Sequence, residues 1–249
     1  MPNQIIIFLF SIVGIVLFFV RFQKLKRYFS TYAEIFGIVA ILYIISILVG
    51  HYFYNLDLDL YIVLMAIIGF IRNAMVASLA TFYFYDEFKI MAVPFLFKLN
   101  GNKISTIKIF HFSIIALLLI IICSMIFISL SNNAIFDFRD FSWDVGLYTM
   151  FNSFIVAFNE EMFVRLFMFG AIAYWLRNAK GNFIIAAILS SLLWSLDHFL
   201  VDVMAMKFIF LFLMGLLLSF LMYKKGIESC IVVHGIYNTL AFLVLGYMN

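Results

Sequence analysis

The sequence predicts an all-α membrane protein, a polytopic bundle of about eight transmembrane helices with both termini outside. Three observations predict it. Hydrophobic residues make up 67% of the 249-residue chain and the mean hydropathy is +1.15, whereas a soluble domain carries about 45–50% apolar residues. Apolar runs of about 20 residues, the length that crosses a bilayer as a helix, recur throughout. The basic residues fall in alternate connections. Length alone would allow one or two soluble domains, but no core of that size could hide so much apolar surface. The polar/apolar alternation of a membrane barrel is absent, and open sheet cannot face lipid.

The spans are read in order as 4–20, 34–54, 59–85, 106–130, 144–176, 182–200, 203–223 and 228–246. The first has no basic residues before it and no small-residue cleavage site after it, so it reads as a retained span rather than a signal peptide. Arg72 and Asn73 sit inside the third and read as a structural pair or a cavity lining. His51 and His111 fall near span ends and read as interfacial. The inner connection 86–105 holds Pro94 and the turn-rich string KLNGNK, beside an apolar stretch, IMAVPFLF, suited to the inner membrane surface. Cys123 and Cys230 lie in separate apolar runs without CxxC spacing and read as buried thiols. No linker or repeat divides the chain. Spans one to four (1–143) and five to eight (144–249) are taken as its two parts.

Charge fixes the orientation. With the N-terminus outside, Arg21, Lys24, Lys26, Arg27, Lys89, Lys98, Lys103, Arg177, Lys180, Lys224 and Lys225 lie inside, with Lys108 at a helix edge. Arg139 alone lies in an outer loop, and Lys207 just within the outer end of span seven. The positive-inside rule then favours an even number of spans. A net charge of +3 does not point to nucleic acid; membrane lipid is the expected surrounding, in a multi-pass protein of the cell membrane.

Span five interrupts its apolar run with Glu160, Glu161 and Arg165. Three unpaired charges facing lipid would cost roughly 7–10 kcal/mol, so they must face the bundle interior or a water-filled cavity. Glu161 and Arg165 are four residues apart, share a helix face and can pair. Glu160 is turned about 100° away and stays free to act. The segment 144–176 would extend about 50 Å as one helix against a hydrocarbon core of about 30 Å. It must tilt, bend or overrun the membrane, and a bend near Asn159 would open the site. Two further polar sets lie downstream. Trp194 and His198 share a face, and so do His234 and Asn238. A carboxylate, two imidazoles and an amide can form a hydrolytic site. Asp197 cannot share His198's face closely and reads as meeting water. Straight, vertical helices would leave His198 and His234 roughly 15 Å apart in depth.

The order Glu160-Glu161-x-x-x-Arg165, Trp194-x-x-x-His198, His234-x-x-x-Asn238 resembles the CPBP family of intramembrane proteases. That family includes type II CAAX prenyl endopeptidases and the Abi proteins linked to bacteriocin processing and self-immunity. The likeness covers roughly 144–246. Val164 and Trp194 depart from the family's aromatic and Phe preferences, and no proline precedes the glutamates. The resemblance implies an endopeptidase acting on a membrane-associated peptide or lipidated protein. It implies Glu160 as general base on water, His198 orienting that water, and His234 and Asn238 as oxyanion donors. Glu161 and Arg165 would brace the site, with Trp194 supporting it. No HExxH motif occurs, and a metal-independent reaction is favoured. The alternative is a zinc ion on Glu160, His198 and His234, the ligand types of a His2Glu site. Two other functions compete. One is a catalytically idle scaffold for bacteriocin immunity or sensor regulation. The other is a proton-coupled transporter, against which stands the lack of inverted repeats.

Overall fold

The computed structural model describes residues 5–54, 60–90, 106–130, 143–199 and 205–245, and among these every regular element is helical. The helices are α1 (Ile5–Val20), α2 (Phe22–Tyr54), α3 (Leu60–Phe82), α4 (Thr106–Leu130), α5 (Trp143–Glu161), α6 (Phe169–Trp175), α7 (Asn182–Phe199), α8 (Ala205–Lys225) and α9 (Ile227–Leu245). A π-helical segment, Met162–Met168, joins α5 to α6 without a break. Another, Tyr83–Glu87, extends α3. Counting α5 to α6 as one rod, the described residues make eight rods, one for each apolar run. Among the described residues three stretches are long and apolar enough to cross a membrane: Phe22–Leu48, Ala66–Glu87 and Lys207–Lys225. Shorter apolar helices cover Phe8–Val20, Ser113–Ile126 and Asn182–His198. Arg139, Lys98, Lys103, the IMAVPFLF stretch from Met91 onward, and Asp57, Asp59, Asp137, Asp140 and Asp202, which the same orientation puts outside, lie beyond the described residues.

The second rod corrects one expectation. Residues 22–33 read as a charged inner loop, yet α2 begins at Phe22 and Arg21 alone separates it from α1. The reason is a helical stripe within the charged stretch. Leu25, Tyr28, Tyr32 and Phe36 are buried, while Lys24, Lys26 and Arg27 face outward. The chain folds back sharply at Arg21, so that Phe18 of α1 packs on Phe29 of α2 with ring centroids 5.1 Å apart.

The two parts of the chain share one core. Arg21 Nη2 donates to the Tyr174 hydroxyl at 3.2 Å, and Tyr174 stacks on Tyr83 at 4.2 Å. Gly14 of α1 lets that helix come close to the π segment: a Cβ there would stand 2.5 Å from Phe167 and 2.8 Å from Val76 of α3. All seven residues of the segment Met162–Met168 are buried. The α5–π–α6 rod is therefore sheathed by α1 and α3 on one side and by α7, α8 and α9 on the other. Within the second part, α7 and α8 approach at Gly215, whose Cβ would meet Ser191 Cβ at 2.9 Å and its backbone Cα at 3.2 Å. Small residues at such crossings let membrane helices pack backbone to backbone. Both cysteines are free, Cys230 buried and Cys123 half-buried.

Candidate active site

The expected pair forms. Arg165 Nη1 lies 3.4 Å from Glu161 Oε1, and both side chains are fully buried. The contact is ionic without hydrogen-bond alignment, because the three guanidinium nitrogens have no hydrogen-bond partner among the described residues. The arginine instead lies over Trp194, its Cζ 3.9 Å from the indole centroid. A cation over a desolvated indole is worth about 2 kcal/mol or more. Helix spacing places Trp194 and His198 on one face of α7. Their rings sit 4.9 Å apart, and His198 Nδ1 is 3.0 Å from the Trp194 carbonyl oxygen.

One contact has no counterpart in the sequence reading. His234 Nδ1 is 2.8 Å from Glu161 Oε1, so the second carboxylate, not the first, joins α5 to α9. The His234 ring also meets the Trp194 indole edge-on, with centroids 5.9 Å apart. Two histidines that vertical helices would set roughly 15 Å apart in depth thus pack on a single indole. The distortion lies in the π segment, which begins at Met162 just after the two glutamates, rather than in a bend at Asn159. A π turn carries one more residue than an α turn and re-aims the side chains beyond it, and such turns are frequent at functional sites.

Asp197 is a second correction. It is buried, not in water, and lies within electrostatic reach of His198 and Glu160. The helix that carries it, α7, packs against both the π segment and α8. Glu160 remains half-buried, and so does Asn238, one turn beyond His234. Neither makes a hydrogen bond to the cluster among the described residues. Six buried polar atoms here also have none among those residues: Glu161 Oε2, the three Arg165 nitrogens, Trp194 Nε1 and Asp197 Oδ1. Buried polar groups are normally satisfied, so such a concentration calls for partners beyond these side chains.

Residues 142–240 match the family model described as type II CAAX prenyl endopeptidase Rce1-like. The match lies within the second half of the chain. The Rce1-like region contains Glu160, Glu161, Arg165, Trp194, His198, His234 and Asn238, in keeping with the CPBP resemblance. Neither a curated protein nor a solved structure matches the chain. The description names an endopeptidase, a peptide hydrolase.

The donor set does not fit a metal. Among the described residues no three His, Cys, Asp or Glu side chains converge as a metal would require. Glu160, His198 and His234 are therefore not gathered as a ligand set. His234 and His198 each engage Nδ1 within the protein, leaving Nε2 as the nitrogen open to other partners.

Proposed function

We propose that this chain is an intramembrane endopeptidase in which Glu160 activates the water that attacks a peptide bond. The observation that carries the proposal is the division of labour between adjacent glutamates. Glu161 is fully buried and occupied by Arg165 and His234, whereas Glu160 is half-buried and unoccupied by either. A carboxylate already engaged on one oxygen by two cationic or potentially cationic partners is a poor base. Glu160, within electrostatic reach of Asp197, is the better one.

In this reading Glu160 takes a proton from water while His198 orients it. The tetrahedral oxyanion is met by Asn238 and by His234 Nε2. The contact of Nδ1 with Glu161 leaves Nε2 as the His234 nitrogen for that role. Each oxyanion donor is typically worth about 2.7–4 kcal/mol. Arg165, Glu161 and Trp194 hold the geometry. No step runs through a metal. The substrate is a membrane-associated peptide or lipidated protein, and a prenylated C-a-a-X terminus is the first to try, given the family description. The chain resides in the cell membrane with both termini outside. A role in bacteriocin processing belongs to the same chemistry on a peptide precursor.

The test is cleavage of a fluorogenic prenylated C-a-a-X peptide in proteoliposomes, alongside comparison of cellular peptides with and without the variant. Glu160→Gln should abolish turnover and leave the melting temperature unchanged. Full activity of that variant, or a cellular phenotype that survives Glu160→Ala intact, would sink the reading and favour the idle scaffold.

A further inference from the structure

The site has an attachment outside the family-matched region. Arg72 of α3 grips its neighbour's side chain with two donors: Nε and Nη2 lie 3.0 and 2.9 Å from Asn73 Oδ1. The Asn73 oxygen is thereby held, and its Nδ2 is turned to Asn159 Oδ1 at 2.9 Å. Asn159 in turn donates through Nδ2 to the Ile155 carbonyl oxygen at 3.0 Å, one turn back on α5. Both amides of this relay are used at both ends, and the donors all run in one direction. The relay reaches the residue immediately before Glu160. Arg72 also lies over the Phe163 ring, with its Cζ 4.8 Å from the centroid, on the second residue of the π segment. Among the described residues Arg72 meets no carboxylate, so its charge is not there to form an ion pair.

A half-buried arginine in a membrane-spanning helix is costly and needs a reason. Asn73 is almost fully buried, so its orientation is decided by its partners rather than by water. Together the contacts pin both flanks of Glu160, the residue before it by hydrogen bond and the π segment after it by ring contact. We infer that Arg72 and Asn73 are positioning residues for Glu160, supplied by the first part of the chain and acting through Asn159 and Phe163. The inference rests on Glu160 being the base, and the experiment separates the two claims.

Arg72→Leu, Arg72→Gln, Asn73→Leu and Glu160→Gln are prepared in lipid nanodiscs. Each is measured for cleavage of the prenylated C-a-a-X peptide, for amide hydrogen exchange over residues 155–168, and for thermal melting. Arg72→Leu and Asn73→Leu should lower kcat at least tenfold with KM within twofold. Exchange at residues 159–163 should rise at least tenfold, with no comparable rise in the α7–α8 pair. Arg72→Gln keeps a donor for Asn73 Oδ1 without the charge, and should recover kcat and exchange to within threefold of the parent. Glu160→Gln should lose activity and keep parental exchange. Parental exchange at 159–163 in both leucine variants would overturn the positioning role, whatever the activity. So would a fall in kcat matched by a uniform rise in exchange across the protein. Activity retained in Glu160→Gln would overturn the catalytic reading beneath it instead. If the peptide is not cleaved, the exchange result alone decides the positioning claim.

Discussion

Replacing Arg165 with leucine tests whether the buried ion pair is held by its charges or by its packing. Arg165 and Glu161 are both fully buried, 3.4 Å apart. The guanidinium makes no hydrogen bond among the described residues, so its own loss relieves desolvation rather than breaking bonds. The variant keeps a buried Glu161 whose remaining hydrogen-bond partner among those residues is His234. Removing one member of a buried pair costs about 3–5 kcal/mol, because the other charge is left uncompensated. Losing the cation from the Trp194 face adds to this, offset in part by leucine's apolar contact with the same ring. Glu161→Gln should cost a similar amount by stranding Arg165. The double variant should cost only about 1 kcal/mol, because replacing a buried pair by uncharged groups is often near neutral. On these figures the coupling is about 5–9 kcal/mol, above the roughly 0.5–3 kcal/mol usual for contacting residues, because both charges are fully buried. The measurement is denaturant unfolding in mixed micelles for the four proteins of the cycle. Thermal shifts of the single variants should be roughly 6–20 °C at about 2–4 °C per kcal/mol. Additive losses, or a single-variant loss below about 1 kcal/mol, would refute the view that this pair compensates itself in the bundle.

Three further outcomes are expected. Gly215→Ala should lower unfolding stability by about 1–3 kcal/mol, since its Cβ would press on the Ser191 backbone, while Gly37→Ala, with open space around it, should change little; equal effects would discount the close approach of α7 and α8. Exhaustive dialysis against a chelator should leave peptide cleavage within twofold, because Glu160, His198 and His234 do not converge as ligands; stoichiometric zinc whose removal abolishes cleavage would contradict this. Single cysteines at Lys26 and Lys207, in a chain lacking Cys123 and Cys230, should be labelled by impermeant reagent from opposite sides, Lys207 from outside; labelling from one side would overturn the orientation.

The rods are legible because a bilayer demands about 20 apolar residues for each crossing, and that demand is written along a single dimension. The Glu161–Arg165 and Trp194–His198 relations are legible for a similar reason: a four-residue spacing on a helix is a distance. The Glu161–His234 bond is not. It joins residues 73 apart and depends on helix tilt, which spacing does not encode. The π segment is hidden too, since hydrogen bonding five residues back is a choice made by packing around Phe167 and Val164, not by local preference. Residues 22–33 mislead because their charges mask the buried stripe of Leu25, Tyr28 and Tyr32. Asp197 misleads because its helix face can be weighed only against His198 in the sequence, without the neighbours that enclose it.

The sheath that α1 and α3 form around Met162–Met168 sets an order of events during synthesis. Residue 162 leaves the ribosome about 4–14 s after residue 90, at roughly 5–20 residues per second. By then Gly14, Val76 and the Tyr83 ring are already in the membrane. The widened turn is therefore synthesised after the residues of α1 and α3 that flank it. A chain started at residue 142 would have to make that turn against lipid, which offers no groove beside Phe167 and no ring for Tyr174 to stack on.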